Sequence, residues 1–331
     1  MHLHKLAVCL FVGIAALVGV ESAHAASIDL GTAGPNNWAI LTLGGGISFS
    51  ETDTSLNTAT NVGNVGIAAK PVPAPSSDLS VSGCCAGAAI VQGNVFLDTN
   101  ATLHNSGNIQ GTAFVNSSAG QVSNSGTLSG GVVVDGTVHA KLAQAVSDAQ
   151  TFAALYGGFS CTICSTTNID TNSGTTVITG VNGLNVLNLT DLKLNGDSTT
   201  LQLTATGAAA RFIINVSGTF NLAGGDIILG GDLTPDEVLI NYTGTTTLHT
   251  SGPHANINGI LLAPKADIGF SNAIITGEVI AGGDSVQIVS GSYVHAADCC
   301  TNVPEPGTLM LLTLGLGAVG VAVRRRGRSG H

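Results

Sequence analysis

Charged side chains are scarce in this chain: only 9% of its 331 residues are Asp, Glu, Lys or Arg. Aromatics are scarcer still at 4%, with a single Trp. Large rings dominate the cores they enter, so their shortage excludes a wide core and leaves a narrow one filled by Val, Ile, Leu and Ala. Between Ala26 and Val303 only five basic residues (Lys70, Lys141, Lys193, Arg211 and Lys265) stand against eighteen acidic ones, a net charge of −13. Such a surface excludes nucleic acid, whose binding rests on neutralised phosphates. It also repels acidic polymers unless a divalent cation bridges them. Catalytic signatures are missing too. There is no Gly-x-Ser-x-Gly elbow, and Gly44–Gly46 lacks the Lys-Ser/Thr that a phosphate loop needs. His104, His139, His249, His254 and His295 are scattered without metal-ligand spacing.

Glycine is plentiful, at 45 residues, and part of it is periodic. Gly93-Asn-Val-Phe-Leu-Asp98, Gly111-Thr-Ala-Phe-Val-Asn116 and Gly130-Gly-Val-Val-Val-Asp135 start 18 and 19 residues apart. Asn105-Ser-Gly107 and Asn124-Ser-Gly126 repeat at the same step. A period just under twenty, punctuated by Gly and Asn, is the mark of a β-solenoid. At roughly 3.3 Å per strand residue, one repeat makes about three short strands and three corners, which is one coil. Farther on, Phe212–Thr219 and Val238–Thr245 are near copies 26 residues apart, and Gly259-Ile-Leu-Leu-Ala263 and Gly277-Glu-Val-Ile-Ala281 restore the step of 18.

Between these β regions the period changes. Val138, Leu142, Val146, Ala149, Phe152 and Tyr156 fall on a 3.6-residue stripe that Gly157-Gly158 stops. The spacing predicts one amphipathic helix over about 138–156, packed along the solenoid. The expected fold is therefore mainly β: an interrupted parallel β-solenoid, or β-helix, with one long flanking α-helix. Lys70–Ser77, with three prolines, is expected to be a surface loop.

Both ends carry targeting signals. Lys5, the apolar stretch Leu6–Val20 and the small residues Ala23 and Ala25 before Ala26 predict a signal peptide over 1–25. The mature domain is then expected over 26–301 and a sorting segment over 302–331. In that segment Val303-Pro304-Glu305-Pro306 precedes an apolar run and then Arg324, Arg325, Arg326 and Arg328. A short transmembrane helix is expected over 308–323, and its apolar run Leu309–Val323 reaches only about 22 Å, against a ~30 Å hydrocarbon core. That length suits transient membrane contact before a sorting peptidase acts. The Arg cluster stays cytoplasmic, leaving everything before it outside.

This three-part tail resembles the PEP-CTERM sorting signal of exopolysaccharide-producing Gram-negative bacteria. The resemblance implies recognition by an exosortase-type peptidase, cleavage near Pro304–Pro306, and delivery to the cell envelope, outer surface or extracellular matrix. The mature domain is similar to the choice-of-anchor A domain, an adhesive domain found with various surface anchors. The stretches that carry this are Leu30-Gly31 with Trp38–Leu41, Gly63–Gly66, and Ile257–Asp267 with Gly277–Ala281. The layout of coils, flanking helix and more coils also resembles the ice-binding β-helix family. Turn and core residues make up most of these matches, so they imply a fold more than an activity.

Three sets of side chains are candidate sites. Asp98, Asn116 and Asp135 close successive repeats and should stack in a column. They either cap the corners or form a calcium ladder or carboxylate pair of the kind β-helix lyases and hydrolases use. Asn and Asp interchange there, which favours capping. The mature chain has six cysteines: Cys84, Cys85, Cys161, Cys164, Cys299 and Cys300. In an exported protein an even number reads as disulfides, between clusters or within Cys161–Cys164, with a thiolate metal site as the alternative. Thr199–Thr204 and Thr245–Thr247 are the third set, since a flat hydroxyl face could order water against ice; ordinary strand propensity of Thr is the plainer account. The reading that follows is an exported, non-enzymatic adhesive or structural protein of a biofilm or floc matrix. It needs no cofactor unless calcium bridges it to extracellular polysaccharide. An ice-binding protein and a β-helix polysaccharide lyase or hydrolase are the alternatives.

Overall fold

A computed structural model describes residues 27–35, 37–50, 60–69, 77–82, 90–207, 209–252, 254–289 and 291–296. The signal peptide, the proline loop at 70–76 and the sorting segment lie outside them. Three parallel sheets of ten strands each form the sides of the solenoid. Successive coils stack in register, as the sequence period demands: Val95–Leu97 pairs with Ala113–Val115, and that strand with Val132–Val134. The 26-residue copies also stack, Phe212 opposite Val238.

The order of the coils does not follow the chain. Ile40–Thr42 pairs on one side with Val65–Ile67 and on the other with Val279–Ala281, from the last coil. The chain thus starts in the middle and winds outward to the edge strand Val132–Val134. It crosses back through helix α1, Val138–Gly157, and restarts at the opposite edge with Asn168–Thr171, Gly174–Gly180 and Leu184–Leu189. From there it winds inward until its last coil meets its first, Ser285–Val289 against Gly46–Ser50. Ten rungs spaced ~4.8 Å apart span about 43 Å. A helix of 20 residues covers about 30 Å of that, and the connecting segments supply the rest.

Inside the coil, Ile67, Leu97 and Val115 stack as a fully buried aliphatic column. Gly makes the corners tight. Gly259 and Gly277 sit at φ 145° and 144°, and a Cβ on Gly277 would lie 2.1 Å from the Gly259 carbonyl oxygen. Asn locks the rungs: Asn64 Oδ1 accepts from the Asn94 backbone N–H at 3.0 Å, and Asn94 Oδ1 from that of Thr112 at 2.9 Å. These bonds explain why Gly-Asn recurs.

One sheet is apolar on its outer side as well. Leu41, Ile280, Leu262, Leu239, Ile213 and Val186 form the seat of α1, which contributes Val138, Leu142, Ala145, Ala149 and Ala153. Three alanines at every fourth position bring the helix backbone close to the sheet. An amide ladder holds its far end: Asn241 donates to the Ala153 carbonyl (3.0 Å), Asn215 to that of Tyr156 (2.9 Å) and Asn188 to that of Phe159 (3.0 Å). Of the three carbonyls, that of Tyr156 belongs to the last turn, which lacks intrahelical donors, while those of Ala153 and Phe159 lie just before and just after it.

The two ends differ. Val132, Val133 and Val134 are 38%, 42% and 55% exposed, although Ala113 and Val115 in the rung beneath are fully buried. At the other end a loop closed by the Cys161–Cys164 disulfide covers the edge of Leu184–Leu189. Thr162 and Ile163 N–H donate to the Val186 carbonyl, and Val186 N–H donates to Thr162 Oγ1.

Candidate functional site

The corner column of Asp98, Asn116 and Asp135 is built from equivalent backbone positions. Their N–H groups donate to the carbonyls of Ile67, Leu97 and Val115, one rung back in each case. All three side chains meet the start of α1, where helical N–H groups have no intrahelical acceptor. Asp135 Oδ1 accepts from Thr137 N (2.9 Å) and Oγ1 (2.7 Å). Asn116 Oδ1 accepts from His139 N at 3.1 Å. Buried Asp98 bonds His139 Nδ1 at 2.8 Å, and its oxygens also accept the N–H groups of Thr99 and Ala69. The Thr137 bonds, aided by Lys141, hold the Asp135 carboxyl below the usual carboxylate range. In these contacts the column anchors the helix. Among the described residues no cluster of three or more His, Cys, Asp or Glu could hold a metal ion.

The remaining candidates are spread along the faces. Lys193 lies between Asp170 (3.4 Å) and Asp191 (3.7 Å) on the outer side of a sheet. Asp191 also accepts the Thr219 N–H, which with Lys193 keeps it ionised below the ordinary range. A glycosidase needs one protonated carboxyl and a free partner, whereas these two share a lysine on an open strand face. Thr200 and Thr204 stack on Thr175 and Thr179, with Thr179 and Thr204 hydroxyls 3.2 Å apart. Gly230 follows Thr204, and the Thr200 column continues through Asp226, Asn256 and Ile274, so the hydroxyl array stops after two rungs. Thr199 points into the fold and is fully buried, and Thr245–Thr247 lie between strands. The two Thr runs therefore do not share a face.

Residues 34–295 match the family model of an ice-binding-like adhesive domain. The chain belongs to that family. Residues 302–326 match the PEP-CTERM protein-sorting motif. Together they describe an exported, surface-associated bacterial protein with an adhesive or ice-binding-like domain. Among solved structures, an ice-binding protein of Shewanella frigidimarina is 15% identical, with 83% of this chain and 99% of that one covered and a TM-score of 0.48. One from the Antarctic ascomycete Antarctomyces psychrotrophicus is 15% identical over 82% and 98%, with a TM-score of 0.44. An ice-binding protein from an Arctic yeast is 17% identical over 81% and 94%, also at 0.44. A search of curated proteins returned no significant match.

Within this ice-binding-like adhesive domain, Asp98, Asn116 and Asp135 come together, and so do Cys161 and Cys164. Cys84, Cys85, Cys299, Cys300, the signal-cleavage residues and the sorting residues lie outside the described residues. No described helix is long and apolar enough to cross a membrane. The contact between His139 and Asp98 spans 41 positions and left no local signal. It exists because the helix starts over the rungs that the chain has just finished.

Proposed function

We propose that the protein is a non-enzymatic adhesive of the extracellular polysaccharide matrix in Gram-negative biofilms or flocs. An exosortase-type peptidase acts at Val303–Pro306 after transient membrane contact through the tail, and the solenoid is then displayed. The observation that carries this reading is the chemistry of one face that α1 leaves uncovered. Ser123, His104, Ser80, Ser48 and Gln287 follow one another on consecutive rungs of one face. Each rung offers hydroxyl, imidazole or amide groups rather than a concentrated charge. Such columns suit many weak hydrogen bonds to glycans, with affinity gained through multivalency. Calcium would assist acidic glycans by bridging carboxylates.

The test is co-sedimentation of the purified protein with the producing strain's exopolysaccharide, with and without calcium, alongside a deletion strain. Retention on the polymer and loss of aggregation on deletion are expected. Normal aggregates in the deletion strain together with no retention would end the reading. Ice binding is the second reading, favoured by the family. Ice recrystallisation inhibition at micromolar protein would establish it, and the two-rung hydroxyl array leads us to expect none.

A further inference from the structure

Beside the N-terminal half of α1 runs a groove of about 570 Å³. Trp38 and Phe96 line it on the sheet side, with Asn37 and Asn64 near them, and Lys141 and Gln144 line it on the helix side. We propose that this groove binds a short neutral segment of a glycan chain. The proposal rests on the glycan-adhesive reading above and places one built subsite within it.

The floor is apolar and rigid. Trp38 is only 5% exposed, and its indole N–H donates to the Thr32 carbonyl at 2.9 Å. Phe96 meets it edge to face at 5.3 Å, and Phe114, one rung on, stacks against Phe96 at 5.0 Å. The rim is polar and already braced. Asn64 donates to the Asn37 carbonyl at 3.0 Å, and Gln144 donates to Asp148 Oδ1 at 2.7 Å, which leaves the Gln144 carbonyl oxygen as an acceptor. The exposed Asn37 amide adds a donor and an acceptor. A site organised before binding loses little freedom when its ligand arrives. Its volume lies in the ~300–1,000 Å³ range of small-ligand sites.

Charge narrows the ligand class. Lys141 stands 3.5 Å from Asp135, so its cation is compensated. Asp148 accepts from Thr32 N and Oγ1 and from Gln144. Burial pushes the Asp148 carboxyl up, but those bonds together outweigh it and keep it ionised. A polyanion therefore finds one shared lysine and two carboxylates. An acyl chain would cover the rim amides without bonding them, which is costly. A sugar ring fits both parts, its C–H groups on the half-buried Phe96 of the floor and its hydroxyls on the amides.

Trp38 is the only tryptophan in the chain, so its emission reports occupancy directly. The full-length protein is titrated with the hexasaccharides of cellulose, starch, mannan and xylan, with hexagalacturonate and with dodecanoate. At least one neutral hexasaccharide is expected to shift Trp38 emission saturably, and the two anions are expected to leave it unchanged. Ala140→Phe fills the groove from an exposed helix position and should weaken that binding at least about tenfold. Asn37→Ala should weaken it about fivefold, the loss of one or two hydrogen bonds. Both variants should keep the wild-type melting temperature. A response to dodecanoate alone, to no neutral sugar, or equal in Ala140→Phe and wild type overturns the site. Sedimentation with exopolysaccharide separates the two levels. If both wild type and Ala140→Phe sediment, and equally, the groove is wrong and the adhesive stands, whereas if neither sediments and the deletion strain aggregates normally, the adhesive reading fails and the groove with it.

Discussion

Replacing Gly66 with alanine probes how α1 is seated. Gly66 lies on the outer side of the strand Val65–Ile67, and an added Cβ would stand 2.8 Å from Trp38 Cζ3. It would also stand 2.9 Å from Leu142 Cδ2 and 2.9 Å from Leu41 Cδ1. Carbon atoms in good contact sit about 3.5–4.0 Å apart, so all three neighbours must move by more than half an ångström. Leu41, Leu142 and Trp38 are buried, and none can yield into solvent. Relief comes only from lifting the helix or tilting the indole. Inserting a methyl group into such packing costs about 1–3 kcal/mol. Urea unfolding followed by Trp38 emission should show that loss with an unchanged m-value, together with a red-shifted native spectrum. Gly136→Ala is the control, since its Cβ would meet nothing within 4 Å, and it should fall within about 0.5 kcal/mol of wild type. A Gly66→Ala protein with wild-type midpoint and spectrum would refute the seating of Trp38 and Leu142 on this glycine.

Glu278 is fully buried, and neither carboxyl oxygen has a hydrogen-bond partner among the described residues. Burial pushes its pKa well above the ordinary value. The folded state therefore holds the proton more tightly than the unfolded chain. That contribution to stability is complete below the unfolded value of about 4.3 and is lost as pH rises through the folded one. Glu278→Gln should raise the melting temperature clearly at pH 8 and hardly at pH 4; equal shifts at both would sink the argument. Replacing Cys161 and Cys164 together with serine removes a short-loop constraint of about 2 kcal/mol and loosens the cover over the edge of Leu184–Leu189. The double variant should melt earlier and scatter light at concentrations where wild type is monodisperse; unchanged melting and scattering would count against it.

Much of the fold was legible in the residues. Gly, Asn and β-branched runs at a step of 18 or 19 demand corners and strands that stack on their own repeats, and Val95, Ala113 and Val132 do so. The 3.6-residue stripe from Val138 to Tyr156 likewise specified a helix with one buried side, because a solenoid face and a helix stripe each need cover. Asp98, Asn116 and Asp135 were legible as a column for the same periodic reason. Their common use, holding the start of α1, was not.

The order of the coils was decided by tertiary structure alone. Parallel rungs built from similar Gly-corner repeats are close to interchangeable as neighbours, so local sequence does not say that Ile40–Thr42 lies beside Val279–Ala281. That pairing, between strands far apart in the chain, follows from a helix long enough to carry the chain past the finished coils and restart it at the opposite edge. The His139–Asp98 contact and the groove over Trp38 and Phe96 follow from the same crossing. Neither has a local signature, because each is made where a helix lies across rungs drawn from distant parts of the chain.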